Sequence, residues 1–320
     1  MKYLITGGSG FIGSHLAEAL LNRGDEVFVI DDLSTGKYEN IEGLIPNKKF
    51  HFHLDSVLNY KKLRYLVKRV DRIFHLAAAV GVKFIIDNPL KSIEINVKGT
   101  ENILELANMY DKKKVLIAST SEIYGKNNTV PFREEDDRIL GSTTISRWSY
   151  SNTKALDEFY ALAYWRERKL PISIVRLFNT VGPRQSERYG MVLPRFVKQA
   201  LLNHDITVYD DGQQTRCFTF VTDVVDALIK VMDSKKTNGE VFNVGNDKPI
   251  SIEDLAKMVI KMTGSKSKII YVPYEKAYEK GFEDMRHRQP DVSKLKKTID
   301  WKIRFDLEYT VKKVISYFEK

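Results

Sequence analysis

The sequence predicts an α/β protein: a Rossmann-type doubly wound parallel sheet joined to a smaller mixed α/β substrate-binding part. Three observations carry this. Strand-like and helix-like runs alternate from residue 2 to residue 176, the pattern of a parallel sheet covered on both faces. A glycine-rich turn joins the first strand to the first helix. After Arg176 the loops lengthen, the strands shorten and arginines appear at intervals. The chain has 320 residues, 43% of them hydrophobic, enough for one large domain with a smaller partner.

The elements follow in order. Residues 2–6 (Lys-Tyr-Leu-Ile-Thr) read as a buried strand. Phe11, Ile12, His15, Leu16, Ala19 and Leu20 recur at helical spacing and predict a helix over 11–22. Glu26–Ile30 is a second strand closed by Asp31-Asp32, which completes a βαβ unit with a right-handed crossover. Strands are expected at 49–54, 72–76, 114–118 and 171–176, and helices at 60–67, at about 92–108 and from near Tyr150. The runs Phe218–Val221 and Glu240–Gly245 are expected to return to the large sheet. The division this implies is 1–176 with 216–245 for the large domain, and 177–215 with 246–320 for the smaller one.

The first turn reads Gly7-x-x-Gly10-Phe11-Ile12-Gly13. Glycines at this spacing permit a tight turn and a close approach of backbone to a pyrophosphate, with a helix N-terminus supplying N–H groups. Asp31, 18 residues beyond Gly13, stands where a carboxylate would meet the adenosine ribose hydroxyls. Asp32 follows it. A carboxylate there repels a 2′-phosphate, and no arginine follows in 32–36, so NAD is expected over NADP. Asp55-Ser56, after the third strand, is a candidate for the adenine end and equally an ordinary helix start.

Tyr150 and Lys154 are four apart and share a helix face. A tyrosine is a poor base at neutral pH; a nearby ammonium and a cationic nicotinamide favour its phenolate. The phenolate can then take a hydroxyl proton as hydride leaves the same carbon. Thr120, after the strand 114–118, can hydrogen-bond that hydroxyl and relay its proton.

Lys and Arg number 51 against 42 Asp and Glu, a net charge of +9. The basic residues are scattered, without a long block and interleaved aromatics, which argues against nucleic acid as a partner and leaves room for one anionic small molecule. No apolar run reaches the ~18–20 residues of a membrane span. The first residues enter a strand without an apolar leader, and Cys217 is the single cysteine; the expectation is a cytoplasmic protein without disulfides. No metal-ligand spacing is present.

The glycine turn, His75-Leu76-Ala77-Ala78, Ser119–Gly125, Tyr150-x-x-x-Lys154 and Asn179–Arg184 resemble the extended short-chain dehydrogenase/reductases: nucleotide-sugar epimerases, dehydratases and decarboxylases. The resemblance covers nearly the whole chain. It implies NAD contacts at Leu76, Ala77 and Ala78, and an oxidation of the sugar at C4 before further chemistry. Dehydratases place an Asp-Glu pair beside the threonine, and 4-epimerases generally carry small residues. Ser121-Glu122 here resembles the UDP-glucuronic acid decarboxylases. Arg147–Tyr150, Arg216–Thr219, Lys280–Asp284 and His287-Arg288-x-Pro290 lean the same way, and the resemblance implies that Arg288 joins Ser121 and Glu122 in the active site.

By the same resemblance, Asn179 binds the pyrophosphate or sugar and Tyr209 packs the uracil. Arg216 and Arg288 are anion ligands, since guanidinium forks match phosphate geometry; Arg184 and Arg195 are weaker candidates. The expected reaction is decarboxylation of UDP-glucuronic acid to a UDP-pentose, with 4-epimerisation of a UDP-sugar as the alternative and, behind it, 4,6-dehydration or a non-catalytic NAD-binding role. The helix 155–165 is apolar on more than one stripe, and the resemblance implies a homodimer through a four-helix bundle.

Overall fold

The computed structural model describes residues 1–186, 191–277 and 283–319. Strands β1 (Lys2–Thr6), β2 (Glu26–Asp31), β3 (Phe50–Leu54), β4 (Arg72–His75), β5 (Lys114–Thr120) and β6 (Ile172–Leu177) lie in one sheet. Strands β7 (Thr180–Val181), β8 (Ile206–Tyr209), β9 (Thr215–Arg216) and β10 (Thr219–Phe220) lie outside it, and β11 (Glu240–Val244) returns to it. The seven-stranded order is β3-β2-β1-β4-β5-β6-β11, parallel throughout. The order reverses between β1 and β4, and a Rossmann-type sheet binds ligands at the carboxyl ends of its strands beside such a reversal.

Helices cover both faces. They are α1 (Phe11–Asn22), α2 (Tyr60–Val67), α3 (Val82–Asp87), α4 (Pro89–Met109), α5 (Arg147–Ala163), α6 (Val192–Leu201), α7 (Val221–Asp233) and α8 (Ile252–Thr263). Tyr3, Ile5, Val27 and Val29 point to the side of α1 and α7, packing with Leu16, Leu20, Val224 and Leu228. Leu4, Phe28, Ile30, Val115 and Ile117 point to the other side, against Leu63, Leu66, Ile103, Leu106 and Ala161. Both faces of the central strands β1, β2, β4, β5 and β6 are buried, which is why these read as largely continuous apolar runs, whereas edge strand β3 is partly exposed.

Two helices start earlier than the periodicity predicts. α4 opens at Pro89, whose fixed φ and missing N–H suit a first helical position. α5 opens at Arg147 because Arg147 and Trp148 are buried against residues 283–284. One strand expectation is corrected. Residues 219–220 do not join the large sheet; β10 pairs with β7. From Val221 the apolar residues recur at helical spacing and form α7, which packs on the sheet instead.

A further core unites α6, β8, α8 and the helix Leu307–Phe318. Strand β8 pairs in parallel with β13 (Ile269–Val272). Strand β9 pairs with β12 (Ile250–Ser251) on one side and β14 (His287–Arg288) on the other. The parallel register of β14 on β9 sets Arg288 beside Arg216. Among the described residues no helix is long and apolar enough to cross a membrane.

Candidate active site

The glycine turn packs tightly enough to require its glycines. Gly7 has φ +72°, and a Cβ on Gly13 would lie 2.2 Å from the Gly7 carbonyl oxygen. Gly10 caps α1 without a side chain, so the first N–H groups of the helix are left for a ligand. At the end of β2, Asp31 accepts the Ser9 N–H at 2.9 Å and the Leu33 N–H at 2.8 Å. Burial raises its pKa against those two bonds. These parts fit a dinucleotide: a pyrophosphate needs the side-chain-free turn, and ribose hydroxyls need the carboxylate.

A cleft of about 480 Å³ runs from this turn across the carboxyl ends of the strands, within the usual size range of ligand pockets. Gly7, Gly10, Phe11, Ile12, Gly13, Asp31, Asp32, Asp55, Ser56, Leu76, Ala77 and Ala78 all line it. Asp55 accepts from the Ser56 N–H and from the Asn59 amide, and Asn59 itself caps α2. Lys37 and Asn40 also line the cleft; neither carries a sequence signal.

Thr120 ends β5 and caps the short turn Ser121–Tyr124, accepting the Glu122 N–H at 3.2 Å. Tyr150 faces the cleft from α5. Lys154 is buried behind it, and its ammonium donates to Asp157 at 2.7 Å. The expected preference for phenolate is not produced by the protein's own groups. Burial raises the Tyr150 pKa most, the negative charges of Glu122 and Asp157 raise it further, and Arg288 and the Thr120 hydroxyl oppose them. Asp157, the partner of Lys154, is the third of these causes, behind burial and Glu122.

Arg288, far away in sequence, meets this turn. One guanidinium nitrogen donates to Ser121 Oγ at 2.5 Å and the other to Glu122 Oε1 at 3.1 Å. Its Nε is buried with no hydrogen-bond partner among the described residues. Ser121 is fully buried, off the wall of the cleft, so its hydroxyl holds Arg288 rather than facing a ligand. Glu122 lies also 3.6 Å from Arg147. Burial alone would raise the Glu122 pKa, but Arg147 and Arg288 overcome it and the carboxyl is held below its ordinary range.

A second carboxylate orders the arginines. Asp284 accepts from Arg147 at 2.9 Å, from Arg216 at 2.9 Å and from the Tyr274 hydroxyl at 2.7 Å. Burial opposes its charge, yet Arg216 and Arg147 hold it far below the usual carboxylate range. Glu283 joins the same wall, bonded to Trp148 and Lys126. Lys280, Gly281 and Phe282 lie outside the described residues.

The far end of the cleft is lined by Asn179, Arg184, Arg195, Tyr209 and Arg216. Asn179 Oδ1 is buried without a hydrogen-bond partner among the described residues. Arg184 pairs with Glu18. Arg195 donates to the Thr207 carbonyl and covers one face of the Tyr209 ring at 4.2 Å. Gln185 and Gln214, which the sequence did not single out, line the same end, each with an unpartnered buried carbonyl oxygen among the described residues. This end therefore offers both donors and acceptors to a polar, anionic ligand.

A dinucleotide turn, a Tyr-Lys pair and an arginine-rich cleft on a parallel sheet define a nucleotide-dependent redox enzyme. The chain belongs to the extended short-chain dehydrogenase/reductase family; the family model described as GDP-mannose 4,6 dehydratase matches residues 4–314. It is 45% identical to the UDP-N-acetyl-alpha-D-glucosaminuronate decarboxylase of Bacillus cytotoxicus, over 100% of this chain and 98% of that one. It is 34% identical to UDP-glucuronic acid decarboxylase 1 of Xenopus tropicalis, over 100% of this chain and 72% of the relative. The fold matches the UDP-glucuronic acid 4-epimerase of Bacillus cereus, solved with UDP-glucuronic acid and NAD. There the TM-score is 0.89, the identity 30% and the coverage 100% and 99%. The protein is an NAD-dependent nucleotide-sugar enzyme.

Proposed function

We propose that this protein decarboxylates a UDP-hexuronic acid by oxidation at C4, loss of carbon dioxide and reduction to a UDP-pentose. The observation that carries this reading is the Arg288 guanidinium held between Ser121 and Glu122 beside Tyr150. The similarity to two decarboxylases supports it. The greater identity to the acetamido-uronate enzyme favours a 2-acetamido sugar over the UDP-glucuronic acid expected from sequence.

In this reading NAD supplies the acceptor for the C4 hydride and the donor that returns it. Tyr150 takes the C4 hydroxyl proton, with Thr120 bonded to the same oxygen. The surroundings of Tyr150 favour the phenol; a cationic ring beside it, which oxidised NAD would supply when bound, would favour the phenolate. The resulting 4-ketone makes the substrate a β-keto acid. Its C5–C6 bond breaks, carbon dioxide leaves, and the electron pair becomes an enolate on the C4 oxygen. Arg288, with its unpartnered Nε, stabilises that charge. Glu122 is held ionised, which makes it a counter-ion that places Arg288, so the C5 proton comes from water; return of hydride to C4 and of the Tyr150 proton to the C4 oxygen then gives the UDP-pentose.

We read residues 177–215 and 246–320 as the nucleotide-sugar side, with Asn179, Arg195, Tyr209 and Arg216 toward the UDP. Leu156 and Phe159 on α5, and Leu90 and Ile93 on α4, are exposed on neighbouring helices; a second copy covering them would give a homodimer through four helices.

The test presents UDP-N-acetylglucosaminuronate and UDP-glucuronate in parallel, with NAD. Release of carbon dioxide and a product lighter by about 44 mass units supports the reading. Isomerisation without mass loss, as the similarity to 4-epimerases would suggest, replaces it with epimerisation.

A further inference from the structure

Asp157 is a charged residue that the proposed chemistry does not use. It is fully buried on α5 and accepts the Lys154 ammonium at 2.7 Å through Oδ2. Its Oδ1 has no hydrogen-bond partner among the described residues, although the Thr100 hydroxyl is near enough to favour the charged form. Leaving a carboxylate dry is costly unless a cation accompanies it. The cation here is the motif lysine itself, one helical turn from Tyr150. Glu158, the next residue, cannot serve in this way, because Arg176 engages both its oxygens at 2.8 and 3.0 Å.

We propose that Asp157 is a positioning residue for the redox step: its buried ion pair fixes the Lys154 ammonium and offsets its charge, so that Tyr150 stays a phenol until substrate and oxidised cofactor are both in place. The inference rests on the proposed roles of Tyr150 and Lys154.

Among the described residues, α4 sets the Thr100 hydroxyl beside Asp157, and other elements bring further groups near this pair and Tyr150. On α5 they are Lys154, Glu158 and Tyr150; on β5 and its following turn, Thr120 and Glu122; on β14, Arg288; on β6, Arg176; on β4, His75. His75 is buried between the hydroxyls of Thr6 and Thr100. Burial first, and Lys154 second, push its pKa down to about 3. It is therefore neutral in the working range and adds no charge. Burial raises the Asp157 pKa while Lys154 lowers it, and Asp157 in turn raises that of Tyr150. Removing the Asp157 charge leaves Lys154 uncompensated near the phenol.

The test is the pH profile of kcat for Asp157→Asn beside wild type, with saturating NAD and a turned-over UDP-uronate. The acidic limb is expected to move to lower pH by about one unit, a tenfold change in the phenolate-to-phenol ratio, with KM nearly unchanged. Asp157→Ser, smaller and still able to accept a hydrogen bond, is expected to move the limb the same way. The shift is checked directly by the phenolate absorbance of each protein minus that of its Tyr150→Phe counterpart. A uniform drop in kcat with an unmoved limb overturns the proposal. Failure of both variants to fold assigns Asp157 to the fold alone and also overturns it. If Tyr150→Phe retains full turnover, the Tyr150 reading fails instead, a result separable from either outcome.

Discussion

Arg288 shows how much one side chain depends on its holders. A guanidinium bonded to both Ser121 and Glu122 has two parallel donors fixed at once, a geometry a lysine cannot reproduce. Arg288→Lys is therefore expected to lower kcat by about 100-fold, with a smaller change in KM; steady-state kinetics on the decarboxylated substrate checks it. Asp284 makes a different prediction. Its pKa is depressed by Arg216 and Arg147 against burial. A depressed carboxylate contributes stability that is fully present above its unfolded value near ~4 and is lost as pH falls through the folded value. Asp284→Asn is thus expected to lower the melting temperature most at neutral pH, with the gap to wild type narrowing below about pH 4. A gap that stays constant down to acid would show that the ion pairs contribute nothing.

At the scale of the element, the turn between β1 and α1, the proposed seat of the cofactor, cannot accept a side chain at Gly13. A Cβ on Gly13 would collide with backbone at Gly7 and Gly8, which cannot swing away as a flexible side chain would. Gly13→Ala is expected to weaken NAD binding at least tenfold, about 1.4 kcal/mol, read by isothermal titration. α8 offers a contrast: its first residue, Ile252, lines the cleft, but its cap, Ser251, does not. Ser251 accepts the Asp254 N–H at 3.0 Å, Glu253 and Asp254 stand in the first turn, and Gly264 closes the helix with φ +63°. Ser251→Ala is expected to cost about 1 kcal/mol in denaturant titrations while kcat stays at the wild-type value.

At the scale of the whole molecule, the exposed stripe of α5 is the surface that a second copy would cover in the proposed homodimer. Phe159 is 65% exposed and Leu156 42%, with Leu90 at 69% on adjacent α4. Large apolar side chains grouped in this way mark an interaction surface. Phe159→Asp is expected to convert a dimer to a monomer in sedimentation velocity at micromolar concentration. A wild type that sediments as a monomer would remove the proposed homodimer.

What the sequence by itself determined is local. Gly7-x-x-Gly10-x-x-Gly13, Asp31 and the Tyr150-Lys154 spacing are readable because their partners lie within one βαβ unit or one helical turn, where a fixed number of residues gives a fixed geometry. The alternation of strands and helices is readable for the same reason, and it yields the strand positions closely. The path of residues 218–221 was misread because a short apolar run has no clear period until the helix after it is counted. Arg147, Gln185, Gln214, Asp157 and Asp284 became visible as parts of the site only in the tertiary structure. The bonds of Arg147 and Asp284 join segments whose distance along the chain says nothing about distance in space; those of Asp157, Gln185 and Gln214 are local, and what the sequence hid was their burial at the site. Arg288 reached the cleft on a resemblance alone. Its physical reason is the parallel register of β14 on β9, which carries the guanidinium to Ser121 and Glu122 from the far end of the chain.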